Sequence, residues 1–295
     1  MSRPSPTTAA LGALRLLWFV LPLAAGPALG DALAGRAGAL RALVTIMAWG
    51  GWVAVLVATL VPRASSLSVV RIGVPGALAV AAWAAGPGSA DADLTTGALA
   101  VIPAAAAVAL AFAPVVGDAF VTGSAYGSER RFALRCPPAL AALGLLTWMA
   151  VAAGAVAGPL LLATEQWVVG GVLLVVGAVV VVAGVRSLHQ LARRWLVFVP
   201  SGLVVHDPVA RPDAVMAPRP LIESLGPAPA DVAALDLSLG ATGLSLVLTT
   251  SEALAVTVRQ GRTELETQPA TRVAFTPSRP AAVLAEAASR RIPVQ

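Results

Sequence analysis

The residues of this chain that could do chemistry are few, and their spacing works against it. His206 and Asp207 are neighbours, and a histidine held by a carboxylate is the start of a general base. Asp207 leads into Pro208, however, so the pair reads as a strand end running into a turn, with a neutral imidazole. His189 has no second ligand at metal spacing. Cys136 is the single cysteine. It excludes an intrachain disulfide and a cysteine-ligated zinc or iron–sulfur centre within one chain, and it reads as a free thiol ahead of Pro137 and Pro138. Gly123-Ser124-Ala125-Tyr126-Gly127 has its serine one place out of the order a nucleophile elbow requires. The acids of the last third are dispersed and not paired, Asp207, Asp213, Glu223, Asp231 and Asp236 among them.

All 20 basic residues are arginine. A chain without lysine cannot carry a Walker A phosphate loop, a protein-kinase strand lysine or a pyridoxal Schiff base. The sequence therefore predicts no enzyme and no cofactor. Its arginines point elsewhere. Glu129-Arg130-Arg131-Phe132, with Arg135, reads as a segment at the headgroup layer, rings toward the lipid and guanidinium groups on phosphates. Arg193 and Arg194 form a juxtamembrane pair of the same kind. The plainer reading of Arg130, Arg131 and Arg135 is that they only set topology. A net charge of +5 suits anionic lipid, and no basic stripe interleaves with aromatics as nucleic-acid binding would require.

These residues hang on an apolar frame. Hydrophobic residues make up 58% of the chain and charged ones 12%, half the share usual in soluble domains. Six stretches carry no charge: Arg15 to Asp31, Arg41 to Arg63, Arg71 to Asp91, Asp93 to Asp118, Arg135 to Glu165, and Glu165 to Arg186. Most approach or exceed the roughly 20 residues that cross a bilayer as a helix. With the N-terminus inside, Arg3, Arg15, Arg63, Arg71, Arg130, Arg131, Arg135, Arg186, Arg193 and Arg194 fall on the cytoplasmic side, and only Arg36 and Arg41 fall outside. The sequence thus predicts a plasma-membrane protein with both termini cytoplasmic. The first span, Leu16 to Gly30, is short and reads as a retained anchor, with a cleaved signal peptide as the alternative. The third, Ile72 to Gly88, contains Pro75, Gly76, Gly86 and Pro87 and is expected to be kinked or irregular at its ends. The six span cores hold no ionisable residue, which counts against proton coupling, pumping and voltage sensing. Gly170, Gly177 and Gly184 recur every seven residues on one face of the last span, and Gly154 and Gly158 form a small-xxx-small pair in the fifth. They are expected to serve helix packing within the chain, with a self-association face as the alternative.

After Arg186 the pattern breaks into short strand-like runs: Trp195 to Val199 and Leu203 to His206 around a Pro200-Ser201-Gly202 turn, then Val232 to Leu239, Leu244 to Thr249, Leu254 to Val258 and Arg272 to Phe275. Pro208–Pro220 and Pro227–Pro229 read as connections. A helix is expected from Ser278, as N-cap, to Arg291, with Val283, Leu284, Ala287 and Ala288 facing a sheet. Arg193-Arg194-Trp195-Leu196-Val197-Phe198 with Gly202-Leu203-Val204-Val205-His206-Asp207, and Phe275-Thr276-Pro277-Ser278-Arg279-Pro280, resemble the opening hairpin and the lead into the closing helix of bacterial PH-like domains. The whole chain resembles uncharacterised actinobacterial multi-pass proteins that join such a domain to membrane spans. The resemblance implies no activity. The first hairpin has no basic residue between Trp195 and Asp207, so it implies no phosphoinositide pocket either.

The expected architecture is a membrane all-α six-helix bundle over residues 1–187 and a cytosolic β-rich, PH-like domain over 188–295, its strands closed by a C-terminal helix. The expected role is a non-enzymatic, membrane-tethered interaction or scaffold protein that meets a protein partner through the cytosolic domain. A small-solute transporter or channel component is the alternative.

Overall fold

The computed structural model describes residues 5–88, 93–211, 213–229, 233–260 and 264–295, with backbone alone at 258–260, 264 and 265. Arg3, Asp91, Asp231 and Val232 lie outside the described residues. Two compact units are present, Met1–Ala119 with Leu145–Leu188, and Phe120–Gly144 with His189–Gln295.

The first unit is helical. Among the described residues, six helices are long and apolar enough to cross a membrane: α1 (Pro6–Leu33), α2 (Gly38–Leu60), α3 (Ala64–Ala84), α4 (Leu94–Ala111), α6 (Pro138–Ala163) and α7 (Trp167–Ala192). The shortest, with 18 residues, spans about 27 Å at 1.5 Å per residue. A short helix, α5 (Pro114–Thr122), follows α4. Large apolar side chains stand exposed along these helices, Leu23 at 79% and Val168 at 81% among them, which in water would be an untenable surface. Inside, α4 turns a stripe of Ala100, Ala104, Ala107 and Ala111 inward, letting neighbouring backbones approach closely.

The helix bounds differ from those expected. Helix α1 is 28 residues long and takes in Arg15, and α3 starts at Ala64 and takes in Arg71. Both charges are tolerated because each reaches a carbonyl at the end of another helix. Arg15 donates through Nε and Nη2 to Thr59 O (3.1 and 2.8 Å), within the last turn of α2. Arg71 Nε lies 3.4 Å from Ala111 O, the last residue of α4, with its guanidinium over the Phe112 ring. Pro75 sits inside α3 without ending it, and Gly86 and Pro87 fall in the turn beyond.

The second unit is two four-stranded sheets and a helix. The first sheet has the order β1-β2-β3-β4, all antiparallel: Arg130–Ala133, Trp195–Val199, Gly202–His206 and Val215–Pro218. The second has the order β5-β7-β8-β6, from Ile222–Pro227, Leu246–Gln260, Glu264–Phe275 and Leu235–Asp236. Phe132, Leu196, Phe198, Leu203 and Val205 of the first sheet share one core with Leu225, Leu246, Leu248, Val256 and Phe275 of the second. Helix α8 (Pro280–Ser289) buries Val283 and Ala287 in the same core. Ala288 is exposed, and the helix starts one residue after Arg279 without a side-chain cap, not at Ser278.

The sequence pattern missed three strands. Strands β4 and β5 lie in segments expected as connections or left unassigned; each is a sheet edge and ends on a proline, Pro218 or Pro227, where a missing N–H breaks no ladder. Strand β1 lies in the segment expected at the headgroup layer. Its Phe132 is 2% exposed within the core, so that ring does not face lipid. Conversely, two runs expected as separate strands are one, β7, with an irregularity between Thr249 and Leu254. Helices α6 and α7 are therefore inserted between two adjacent strands of one sheet, since Ala133 pairs with Trp195.

Candidate functional site

Strand alternation sorts the first sheet into two faces. One is the core. The other carries Arg131, Trp195, Val197, Val204, His206 and Met216, as the pairings Arg131↔Val197, Trp195↔His206, Val197↔Val204 and Val204↔Met216 require. On this face the Arg131 guanidinium lies 5.4 Å from the Trp195 ring centre, and Trp195 stacks on His206 at 5.1 Å and 30°. Glu129 holds Arg131 from the other side, Oε2 to Nη2 at 3.0 Å, and that ion pair is among the causes keeping the Glu129 carboxyl below its usual range.

The chain turns at the end of β3. Asp207 is buried there and accepts Arg194 through Nε at 2.9 Å and Nη2 at 2.7 Å. It also accepts the backbone N–H groups of Val209 and Ala210, both at 3.2 Å, as an aspartate opening a turn does. Arg194 spends its remaining contact on Arg135 O at 3.2 Å. The carboxylate is thereby saturated. Arg211 closes the turn, its N–H bonded to Asp207 O at 3.0 Å, and its side chain points inward: the residue is 2% exposed, and Nε, Nη1 and Nη2 are buried without a hydrogen-bond partner. Burial pushes the Arg211 guanidinium down from its ordinary pKa, with nearby Asp207 opposing and Arg194 adding to the shift. His206 is likewise lowered, first by burial and then by Arg193, with smaller effects from Arg131 and Arg211 and an opposing one from Asp207.

The arginines expected at the headgroup layer thus have distinct places. Arg130 lies over the Phe132 ring at 5.8 Å. Arg131 is in the aromatic stack. Arg135 is exposed and donates to Thr242 O at 3.0 Å. Arg193 is half-buried beside the cluster. Arg194 is buried in its ion pair and turned away from solvent, because the β3 turn brings Asp207 to it. The pattern reading missed Arg211 entirely. A lone arginine in a Pro-rich stretch looks like a solvated loop, and only the turn set by Asp207 draws it inside.

The glycines of the helical unit lie at close approaches. A Cβ on Gly154 would come within 3.1 Å of Gly177 O, one on Gly158 within 2.5 Å of Leu174 N, and one on Gly170 within 2.9 Å of Leu162 N. Side chains on Gly177 and Gly184 would collide with Gly154 O and Val151 Cγ2. All five sit between α6 and α7.

Among the described residues no group of three His, Cys, Asp or Glu could hold a metal ion. Compared with models of protein families, with curated proteins and with solved structures, the chain matches none.

Proposed function

We propose that this chain is a non-enzymatic multi-pass protein of the plasma membrane, with cytoplasmic termini, whose β-rich unit is a PH-like domain of the kind seen in actinobacterial membrane proteins and holds a protein partner at the membrane. The observation that carries the reading is the inserted helical hairpin: β1 and β2 pair although α6 and α7 separate them in sequence. The β-rich module is thus not a simple terminal appendage: the chain enters it, leaves for the two apolar helices and returns to complete it, which suits a platform. The two sheets and closing helix support the PH-like assignment, and the arginine-rich cytoplasmic loops support the orientation. An exposed loop of the β-rich unit with Leu239 and Leu244, at 44% and 50% exposure, offers apolar contact area for a partner.

Affinity purification of the full-length chain from native membranes in mild detergent tests this. The expected result is a stoichiometric protein partner that is lost in Leu239→Asp and Leu244→Asp. Recovery of the chain alone in several detergents would overturn the reading.

A further inference from the structure

We propose that Arg211 is the floor of an oxyanion site that takes a phosphate group. The inference stands on the β-rich unit alone and is independent of the partner proposed above. A guanidinium buried without a partner is among the least tolerable arrangements in a folded protein, because its desolvation is offset by nothing. The Arg211 side chain has three nitrogens in that condition. Asp207 acts on it through charge alone and gives it no hydrogen bond, since its oxygens already accept Arg194 and two backbone N–H groups. Glu129 gives it none either, being engaged by Arg131.

The charge around the site is unbalanced in the same direction. Arg131, Arg193 and Arg211 act on His206, and Arg194 acts on Arg211, four positive charges against two negative ones on Asp207 and Glu129. Arg131 Nε is also buried without a partner. A surplus of two positive charges and several unused N–H donors matches a phosphate, whose oxygens accept from guanidinium forks and whose charge is one or two units negative. Arg131, Arg193 and His206 are only partly buried, so the cluster reaches the surface, and an anion that meets Arg211 does so after a local opening of the Asp207–Arg211 turn. A headgroup phosphodiester and free phosphate share this chemistry.

The full-length protein in detergent separates them. Its thermal midpoint is read in inorganic phosphate against sodium chloride of equal ionic strength, and in nanodiscs of phosphatidylglycerol against a bilayer-forming galactolipid that carries no phosphate. Ligand held by the folded state alone raises the midpoint, here by at least about 3 °C. A rise in both arms marks a site for phosphate as such, and a rise in the phosphatidylglycerol arm alone marks a lipid headgroup. In Arg211→Met the rise disappears while the ligand-free midpoint increases, since a buried charge has been removed. In Arg211→Lys, which keeps the charge and loses the fork, half-maximal response needs about tenfold more ligand. No response of the unsubstituted protein in either arm, or an undiminished one in Arg211→Met or Arg211→Lys, overturns the proposal.

Discussion

The indole N–H of Trp52 donates to the backbone carbonyl of Trp18 at 2.8 Å, and that carbonyl is the one Pro22 leaves without a helical donor. Trp18 returns the bond to Trp52 O at 2.9 Å, so α1 and α2 are clipped together at two points where hydrocarbon could satisfy neither group. Trp52→Phe is therefore expected to lower stability in micelles by about 1 kcal/mol. In a Pro22→Ala background the helix supplies its own donor, and the loss should shrink by at least half. A double-mutant cycle of unfolding free energies checks this; equal losses in both backgrounds would refute the role of the proline.

Arg194 and Asp207 form an ion pair with side chains 1% and 0% exposed. Asp207→Ala strands Arg194 next to an already unpartnered Arg211, and is expected to destabilise the β-rich unit by about 3–5 kcal/mol. Arg194→Met with Asp207→Leu removes both charges and should recover most of that loss, read by chemical denaturation of the whole chain.

Neighbouring glycines on α7 make an internal control. A side chain on Gly170 meets the backbone of Leu162, whereas one on Gly171 meets nothing within 4 Å. Gly170→Val should lower the melting midpoint and the monodisperse yield, and Gly171→Val should leave both near the starting values. Equal effects would mean that α6 and α7 do not approach as described.

Strands β1 and β2 share a sheet, and two strands on opposite sides of a bilayer cannot pair. Single cysteines placed at Ser124 and at Gln295, in a Cys136→Ser background, should therefore react alike with a membrane-impermeant maleimide in intact cells. Opposite reactivity would be incompatible with the β1–β2 pairing. With cytoplasmic termini, both stay unlabelled until the cells are opened.

His206 has a folded-state pKa below its unfolded value of about 6.5. The unfolded chain then binds the extra proton first, so stability is full above about pH 6.5 and declines as the pH falls from there toward the folded pKa. His206→Gln should flatten that part of the profile of midpoint against pH, with Asp207 and the arginines unchanged. An unaltered slope would assign the acid sensitivity to other groups.

What the sequence determined by itself was whatever depends on neighbours along the chain. Uncharged runs and their flanking arginines mark six helices, because a helix satisfies its own backbone and needs only length and apolarity. Short apolar runs on either side of the Pro200-Ser201-Gly202 turn mark β2 and β3, and the small residues mark where α6 and α7 meet. Tertiary structure decided the rest. Arg130–Ala133 has too few residues and too much charge to look like a strand, and it is one because Trp195–Val199 lies beside it. Arg15 and Arg71 are inside helices because distant carbonyls of α2 and α4 receive them. The inward turn of Arg211, the feature with the most chemical consequence, depends on where Asp207 spends its oxygens, and hydrogen-bond saturation is a property of three-dimensional neighbours that no local pattern encodes.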